Sequence, residues 1–132
     1  MPDKLAIRQQ VLEKRAALDP QILERSGRAA AEKLAAMEEY TTANTVMAYM
    51  DFRNEVPTGP IIEMIRNSGK KLILPLTDNS FTIIPYAIPG AGALTDYLNI
   101  SAFGIAEPDP VRCSEADPAS IDLIITPGSV FD

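Results

Sequence analysis

The chain has 132 residues, a formal net charge of −6 and no histidine, with 46% hydrophobic and 23% charged residues. This length and composition predict one globular domain over residues 1–132 rather than a disordered chain. The negative charge disfavours nonspecific binding to nucleic acid or to a membrane surface, and the lack of histidine excludes Ser–His pairs, Cys–His pairs and imidazole general bases.

The chain contains a single cysteine, Cys113. It can form no internal disulfide and no Cys/His zinc site, so we expect a reducing, cytoplasmic setting. We expect neither a signal peptide nor a membrane span, because no segment approaches the ~18 consecutive apolar residues that a span needs. Carboxylates, lysines, arginines and backbone amides remain for chemistry. They position and stabilise charge, which favours phosphoryl chemistry over the hydrolysis of esters or peptides.

The order of predicted elements begins with two helices, over residues 4–18 and 20–37, the second opened by Asp19 as N-cap and Pro20 as first residue. A strand over 45–49, a polar loop and a helix over 60–67 that Gly69 can end come next. Further strands are predicted over 72–74, 81–86 (near an edge, because of Pro85) and 123–126, with a loop-rich region over 87–120 that holds a short helix near Leu94.

The alternation of strands and helices predicts an α/β fold with a mainly parallel sheet and flanking helices, in a Rossmann-like three-layer arrangement. The sequence stops at Asp132, directly after the last predicted strand and a Pro-Gly turn. Because a loop and a helix normally follow such a strand, we expect the C-terminal elements of the fold to be missing.

The first predicted helix carries a narrow basic stripe. On a helical wheel Lys4, Arg8 and Arg15 fall within roughly 40° of one another. Apolar residues flank the stripe on both sides, so we expect it to point inward and to form an anion site at the edge of a cleft. The alternative is a solvated face, or pairing of these cations with acidic neighbours.

A second candidate site is the loop 49–58, because ligands bind at the carboxyl ends of parallel strands. Glu55 can accept two N–H bonds from an amino-pyrimidine edge such as that of a pterin, with Met50 and Phe52 supplying apolar contact. The alternative is that Glu55 is a solvated acid that favours the N-terminus of the following helix.

A third segment, 103–108, combines Gly104, which can turn the chain, with Glu107 held extended by Pro108. On its residues alone this segment is interpreted as a structural turn.

Taken together, these segments resemble the 5-formyltetrahydrofolate cyclo-ligase (5,10-methenyltetrahydrofolate synthetase) family. The matching pieces occur in the family's order and are residues 4–8 with Arg15, 49–58, 69–70 before 74–75, Phe103-Gly104-Ile105 with Glu107-Pro108, and 121–132. Each piece is weak by itself, and five in order make the resemblance specific.

The resemblance implies an enzyme that uses ATP and Mg²⁺ to convert 5-formyltetrahydrofolate into 5,10-methenyltetrahydrofolate, releasing ADP and phosphate. The formyl oxygen attacks the γ-phosphate, and N10 of the folate then closes the ring. Site residues carried over from the family are Lys4 and Arg8 for the ATP phosphates, Met50, Glu55 and Phe52 for the folate, and Arg15, Glu107 and Asp132 in supporting roles. No catalytic residue and no metal ligand is assigned.

The sequence also departs from the family's pattern. The family continues after the Phe-Asp of residues 131–132 into Gly-x-Arg and a glycine-rich loop that ends Tyr-Tyr-Asp-Arg, cradles the phosphates and helps hold the metal. We therefore expect a truncated chain that is nearly inactive alone, because one lost phosphate donor costs about 10²–10³ in rate. The alternatives are a non-catalytic folate-binding module and a chain completed in trans by another polypeptide. We also expect self-association through the C-terminal strand.

Overall fold

The computed structural model describes residues 3–127 of the chain. The helices are α1 (Lys4–Ala16), α2 (Pro20–Ala35), α3 (Glu38–Thr42) and α4 (Gly59–Asn67), with 3-10 turns at Leu94–Tyr97 and Pro118–Ser120. The strands are β1 (Thr45–Met47), β2 (Lys71–Thr77), β3 (Ile83–Ile88), β4 (Leu98–Ile100), β5 (Ala106–Pro108), β6 (Ser114–Glu115) and β7 (Leu123–Ile124). The predicted supporting residue Asp132 lies outside the described part. No helix in that part is long and apolar enough to cross a membrane.

The predicted starts of the first helices are confirmed by their caps. The carboxylate of Asp19 accepts the Gln21 N–H at 2.9 Å, and Pro20 is the first residue of α2. Asp3 caps α1 in the same way. Both helices end two residues before the predicted end, because the chain leaves helical geometry to reach the extended cap that follows. The short helix α3 was not predicted.

The main sheet has the strand order β6-β3-β2-β1-β7. Strand β1 pairs in parallel with β2 on one side and with β7 on the other. Strand β3 is antiparallel to β2 and to β6, so β3 alone among these five strands runs in the opposite direction. The predicted α/β fold with a mainly parallel sheet and flanking helices is therefore confirmed. Strand β3 reverses because residues 78–82 are too few for a parallel crossover.

A second, two-stranded sheet joins β4 and β5 as an antiparallel hairpin within the region predicted to be mostly loop. Gly104, at φ +83°, lies in its connection and confirms the predicted turn. Backbone bonds from Ser101 to Ile105 and from Gly104 to Ser101 close this connection. The hairpin was missed because its strands are only three residues long.

The core lies around β2, whose central residues are buried on both faces of the sheet. Successive residues of a strand point to opposite faces, so Leu72 and Leu74 share one face and Ile73 takes the other, each 2% exposed or less. Helix α4 contributes Ile61 and Ile65 to the core. Burial on both faces is the pattern that a parallel sheet covered by other layers requires.

The start of β1 is tied to β7 by a single side chain. The Asp122 carboxylate accepts the backbone N–H groups of Asn44 at 2.9 Å and Thr45 at 3.0 Å. These two bonds hold the pKa of Asp122 below its ordinary value. The carboxylate thus fixes the register of the last described strand against the central one.

This carboxylate predicts a pH dependence of stability. The pKa of Asp122 is lower in the folded chain than in the unfolded one, so its contribution is present above the unfolded pKa and is lost as the pH falls through the folded value. We expect Asp122→Asn to lower the free energy of unfolding at pH 7. Below about pH 4 the free energy of unfolding should fall less steeply with decreasing pH in this variant than in the original chain. Urea unfolding over a pH series measures this, with Glu63→Gln on an exposed helix position as control. If the free energy of unfolding of Asp122→Asn depends on acidic pH in the same way as that of the original chain, the prediction is wrong.

Candidate functional site

A cavity of about 640 Å³ opens at the carboxyl edge of the parallel strands. Its walls come from the loop after β1, from the end of β2 with the turn that follows, and from the β4–β5 hairpin. Pro127, which follows β7, also lines it. All three neighbouring parallel strands therefore contribute to one concave site, at the position where open α/β sheets bind ligands.

The loop after β1 contains a tight turn that positions Glu55. Arg53 and Asn54 both have left-handed backbones, with φ of 51° and 58°. The Glu55 N–H donates to the Phe52 carbonyl at 3.2 Å, and Glu55 Oε1 accepts the Phe52 N–H at 2.9 Å. The first bond fixes the backbone of Glu55 and the second fixes its carboxylate. In the described residues no hydrogen bond uses its Oε2, which leaves that oxygen for a ligand.

The ends of the same loop are held together by a pair of side chains. Asp51 Oδ1 accepts both the backbone N–H and the hydroxyl of Thr58 at 2.9 Å, and the Thr58 hydroxyl oxygen accepts the Asp51 N–H at 3.2 Å. Thr58 is fully buried at the start of α4. The loop is therefore a closed unit of defined shape.

Tyr49 lines the cavity with its hydroxyl bound inside the loop. The hydroxyl donates to the Val56 carbonyl at 2.7 Å. Burial, followed by the carboxylates of Glu55 and Asp51, raises the pKa of Tyr49 to about 12. The phenol is therefore a neutral hydrogen-bond donor at every physiological pH.

The cavity is acidic. Glu55, Asp78 and Glu107 line it, and no lysine or arginine does so among the described lining residues. Glu107 is oriented by the Thr77 N–H, which donates to its Oε2 at 2.9 Å. Such a lining favours a ligand that offers N–H donors, and it disfavours phosphate or carboxylate groups within the cavity.

Two exposed aromatic side chains, Phe81 and Phe103, stand at the cavity with 82% and 75% of their surface accessible. Phe81 has an unusual φ of +60°, and its N–H donates to the Asp78 carbonyl. Asp78 and Phe81 were not predicted to belong to the site. The polar residues 78–80 lie between two predicted strands and indicate a turn. Such a turn places the residues on either side of it at the edge of the sheet.

The structure brings together two of the three predicted substrate residues, Met50 and Glu55, at the cavity. Glu107, predicted in a supporting role, lines the same cavity. Phe52 is not among the described lining residues. A Cβ on Gly104 would be 4.0 Å from its ring, and the Arg53 guanidinium is 5.1 Å from the ring centre.

The predicted inward basic stripe on α1 is wrong for Lys4 and Arg8. Both are exposed, neither lines the cavity, and α1 has no buried residue. The physical reason is that both apolar flanks of the stripe are only partly sheltered: Ile7 and Leu12 are half-buried, whereas Leu5 is 72% exposed. Arg15 is half-buried at the other end of the helix.

Comparison with known proteins assigns a family to the chain. A sequence model of the 5-formyltetrahydrofolate cyclo-ligase family matches residues 1–132. No curated protein matches this sequence.

Two solved structures share the fold. The NMR structure of Aquifex aeolicus 5,10-methenyltetrahydrofolate synthetase superposes with a TM-score of 0.73 at 28% identity, covering 89% of this chain and 56% of that one. A 5,10-methenyltetrahydrofolate synthetase from Mycoplasma pneumoniae gives a TM-score of 0.67 at 20% identity, covering 96% of this chain and 64% of that one. This chain thus spans less than two thirds of the length of either.

The loop of the site also depends on a close contact with α2. A Cβ placed on Gly27 would lie 2.8 Å from the Pro57 carbonyl oxygen. Alanine normally stabilises a helix by about 0.5–1 kcal/mol relative to glycine, but overpacking against backbone costs about 1–3 kcal/mol. We expect Gly27→Ala to destabilise the chain in thermal or urea unfolding.

The matched control is Gly59→Ala, because a Cβ at that position in α4 would meet no atom within 4 Å apart from its chain neighbours and the backbone of its own helix. We expect it to be neutral or stabilising. Equal stabilisation by the two substitutions would show that α2 does not set the position of the loop.

Proposed function

This chain belongs to the 5-formyltetrahydrofolate cyclo-ligase family, and from that premise we propose that its cavity binds the pterin end of 5-formyltetrahydrofolate. The reaction served is the ATP-dependent conversion of that compound into 5,10-methenyltetrahydrofolate. The observation that carries the proposal is the Glu55 carboxylate at the cavity, with Oε1 fixed by the Phe52 N–H. Its second oxygen can accept N–H bonds from the aminopyrimidine edge of a pterin.

The properties of the cavity agree with this ligand. Its volume of about 640 Å³ suits a bicyclic ring with part of the attached chain. Met50 and Phe103 offer apolar surface to the ring, whereas Glu55, Asp78 and Glu107 repel anions. We propose that the neutral, donor-rich ring enters the cavity and that the glutamate carboxylates of the folate stay outside.

The nucleotide side of the reaction is proposed from the family. ATP supplies the phosphoryl group that turns the formyl oxygen into a leaving group. Lys4 and Arg8 are proposed for its phosphates and Arg15 for support. Among residues 3–127 no three acidic, Cys or His side chains come together as a metal site. A magnesium ion carried on the phosphates needs only one or two protein carboxylates, so we assign it no ligand in this part of the chain.

We also propose a cytoplasmic location and self-association through β7. Within the described residues β1 is the only strand that pairs with β7, so β7 forms one edge of the sheet. Ile124, on this edge strand, is 57% exposed. An open strand edge with apolar side chains is a surface that another copy of the chain can cover.

Glu55→Gln tests the folate proposal. Hydrogen bonds to a charged acceptor are worth about 1.5–3 kcal/mol, so we expect roughly 10- to 100-fold weaker binding of 5-formyltetrahydrofolate by calorimetric titration. An analogue of 5-formyltetrahydrofolate without the 2-amino group should also bind the original chain weakly. The Glu55→Gln variant should bind 5-formyltetrahydrofolate and this analogue with similar affinities.

The matched control is Glu63→Gln, the same change on an exposed position of α4, which should leave the affinity unaltered. Unchanged affinity in Glu55→Gln would remove Glu55 from the site.

Lys4→Ala combined with Arg8→Ala tests the phosphate proposal. Loss of two charge-assisted contacts should weaken MgATP binding on the order of tenfold or more and should leave the affinity for 5-formyltetrahydrofolate intact. The control is Lys14→Ala, which removes an exposed lysine from the same helix. Equal MgATP affinity in the double variant and the control would reject both cations as phosphate ligands.

A further inference from the structure

Asn54 connects the turn that positions Glu55 to helix α1. Its side-chain Nδ2 donates to the carbonyl oxygens of Arg15 at 3.1 Å and Ala16 at 3.3 Å. These carbonyls belong to the last turn of α1, where the usual partner four residues later in the helix is absent. The Arg15 carbonyl also accepts the Leu18 N–H at 3.2 Å. Asn54 therefore caps the helix from outside, across a separation of 38 and 39 residues in sequence.

Helix α1 depends on such a link because its own packing is weak. The helix has no buried residue, and its most sheltered side chains, such as Ile7 and Val11, are only half-buried. Burial of apolar surface is the main force that holds a helix to its neighbours. The directed double hydrogen bond from Asn54 therefore gives the C-terminus of α1 a specific attachment to the loop.

The residue type at position 54 meets two demands at once. The backbone is left-handed, with φ of 58°, a conformation that glycine, asparagine and aspartate adopt most readily. The bond to the helix also needs an N–H donor. Glycine satisfies only the backbone demand, and aspartate would place an acceptor against two carbonyl oxygens. Asparagine satisfies both.

We infer that Asn54 is a positioning residue. Its bonds to α1 fix the position of the adjacent Glu55 relative to that helix, and so determine where the ligand-binding carboxylate lies. The consequence for folate rests on the proposed function. The coupling acts in both directions, because movement of the 52–55 turn breaks the Asn54 bonds and frees the last turn of α1. The C-terminal turn of the helix and the substrate loop therefore become ordered together.

The test compares Asn54→Asp and Asn54→Gly with Arg53→Gly. Both glycine variants change chain flexibility at a left-handed position of the same turn. Arg53→Gly removes the guanidinium that lies over the Phe52 ring but keeps both Asn54 bonds to α1. The first readout is hydrogen exchange of the Phe52 amide, whose acceptor is Glu55 Oε1. We expect roughly three- to tenfold faster exchange in both Asn54 variants and little change in Arg53→Gly.

The second readout is the affinity for 5-formyltetrahydrofolate in a double-mutant cycle. Asn54→Asp should weaken binding roughly three- to tenfold in the original chain and should have little further effect in a Glu55→Gln background, because it acts through Glu55. A general structural role would weaken both backgrounds equally, and that result would overturn the inference.

Other outcomes are also decisive. If the original chain does not bind 5-formyltetrahydrofolate, the proposed function fails, and the exchange readout still decides the role of Asn54. Unchanged exchange of the Phe52 amide in both Asn54 variants overturns the inference whatever the ligand does. If Asn54→Asp does not fold, Asn54→Gly carries both readouts, because it keeps the backbone conformation.

Discussion

The parallel pairing of β1 with β2 and β7 is the constraint on which the site depends. Parallel strands deliver their carboxyl ends to the same edge of a sheet, so the chain segments that follow β1, β2 and β7 meet there. Residues from all three segments line the cavity. A change of pairing or register in the central strand would separate Glu55 from Thr77 and open the site.

Short-range hydrogen bonds give the loop after β1 its shape. The Asp51–Thr58 pair closes its ends, and the bonds between Phe52 and Glu55 close its turn. A carboxylate held in this way loses little freedom when a ligand binds, which lowers the entropic cost of binding. The surroundings, with α2 behind the loop at Gly27 and α1 capped by Asn54, restrict it further.

The parts of the fold that local chemistry specifies could be predicted from the sequence. Asp19 and Pro20 mark the start of α2, and Gly69, at φ +76°, ends α4 as expected. The polar loop after β1 could be predicted to carry the site because strand order and direction determine where such a loop lies.

What could not be predicted depends on which elements become neighbours. A helical wheel gives the angular positions of Lys4 and Arg8 but not which side of α1 meets the body of the protein. The Asn54 bonds to Arg15 and Ala16 join residues far apart in the sequence, and no local pattern indicates them. The reversal of β3 and the placement of Phe81 at the cavity likewise follow from a turn whose length decides the strand direction.

The most direct test of the account maps the amides of the 132-residue chain by NMR while 5-formyltetrahydrofolate is added. We expect concentration-dependent shifts at Glu55, Thr77 and residues 101–103 and 105–107 of the β4–β5 hairpin, which line the cavity, and at Phe52, whose N–H binds the Glu55 carboxylate. Shifts confined to the outer face of α2, or no shifts at all, would contradict it.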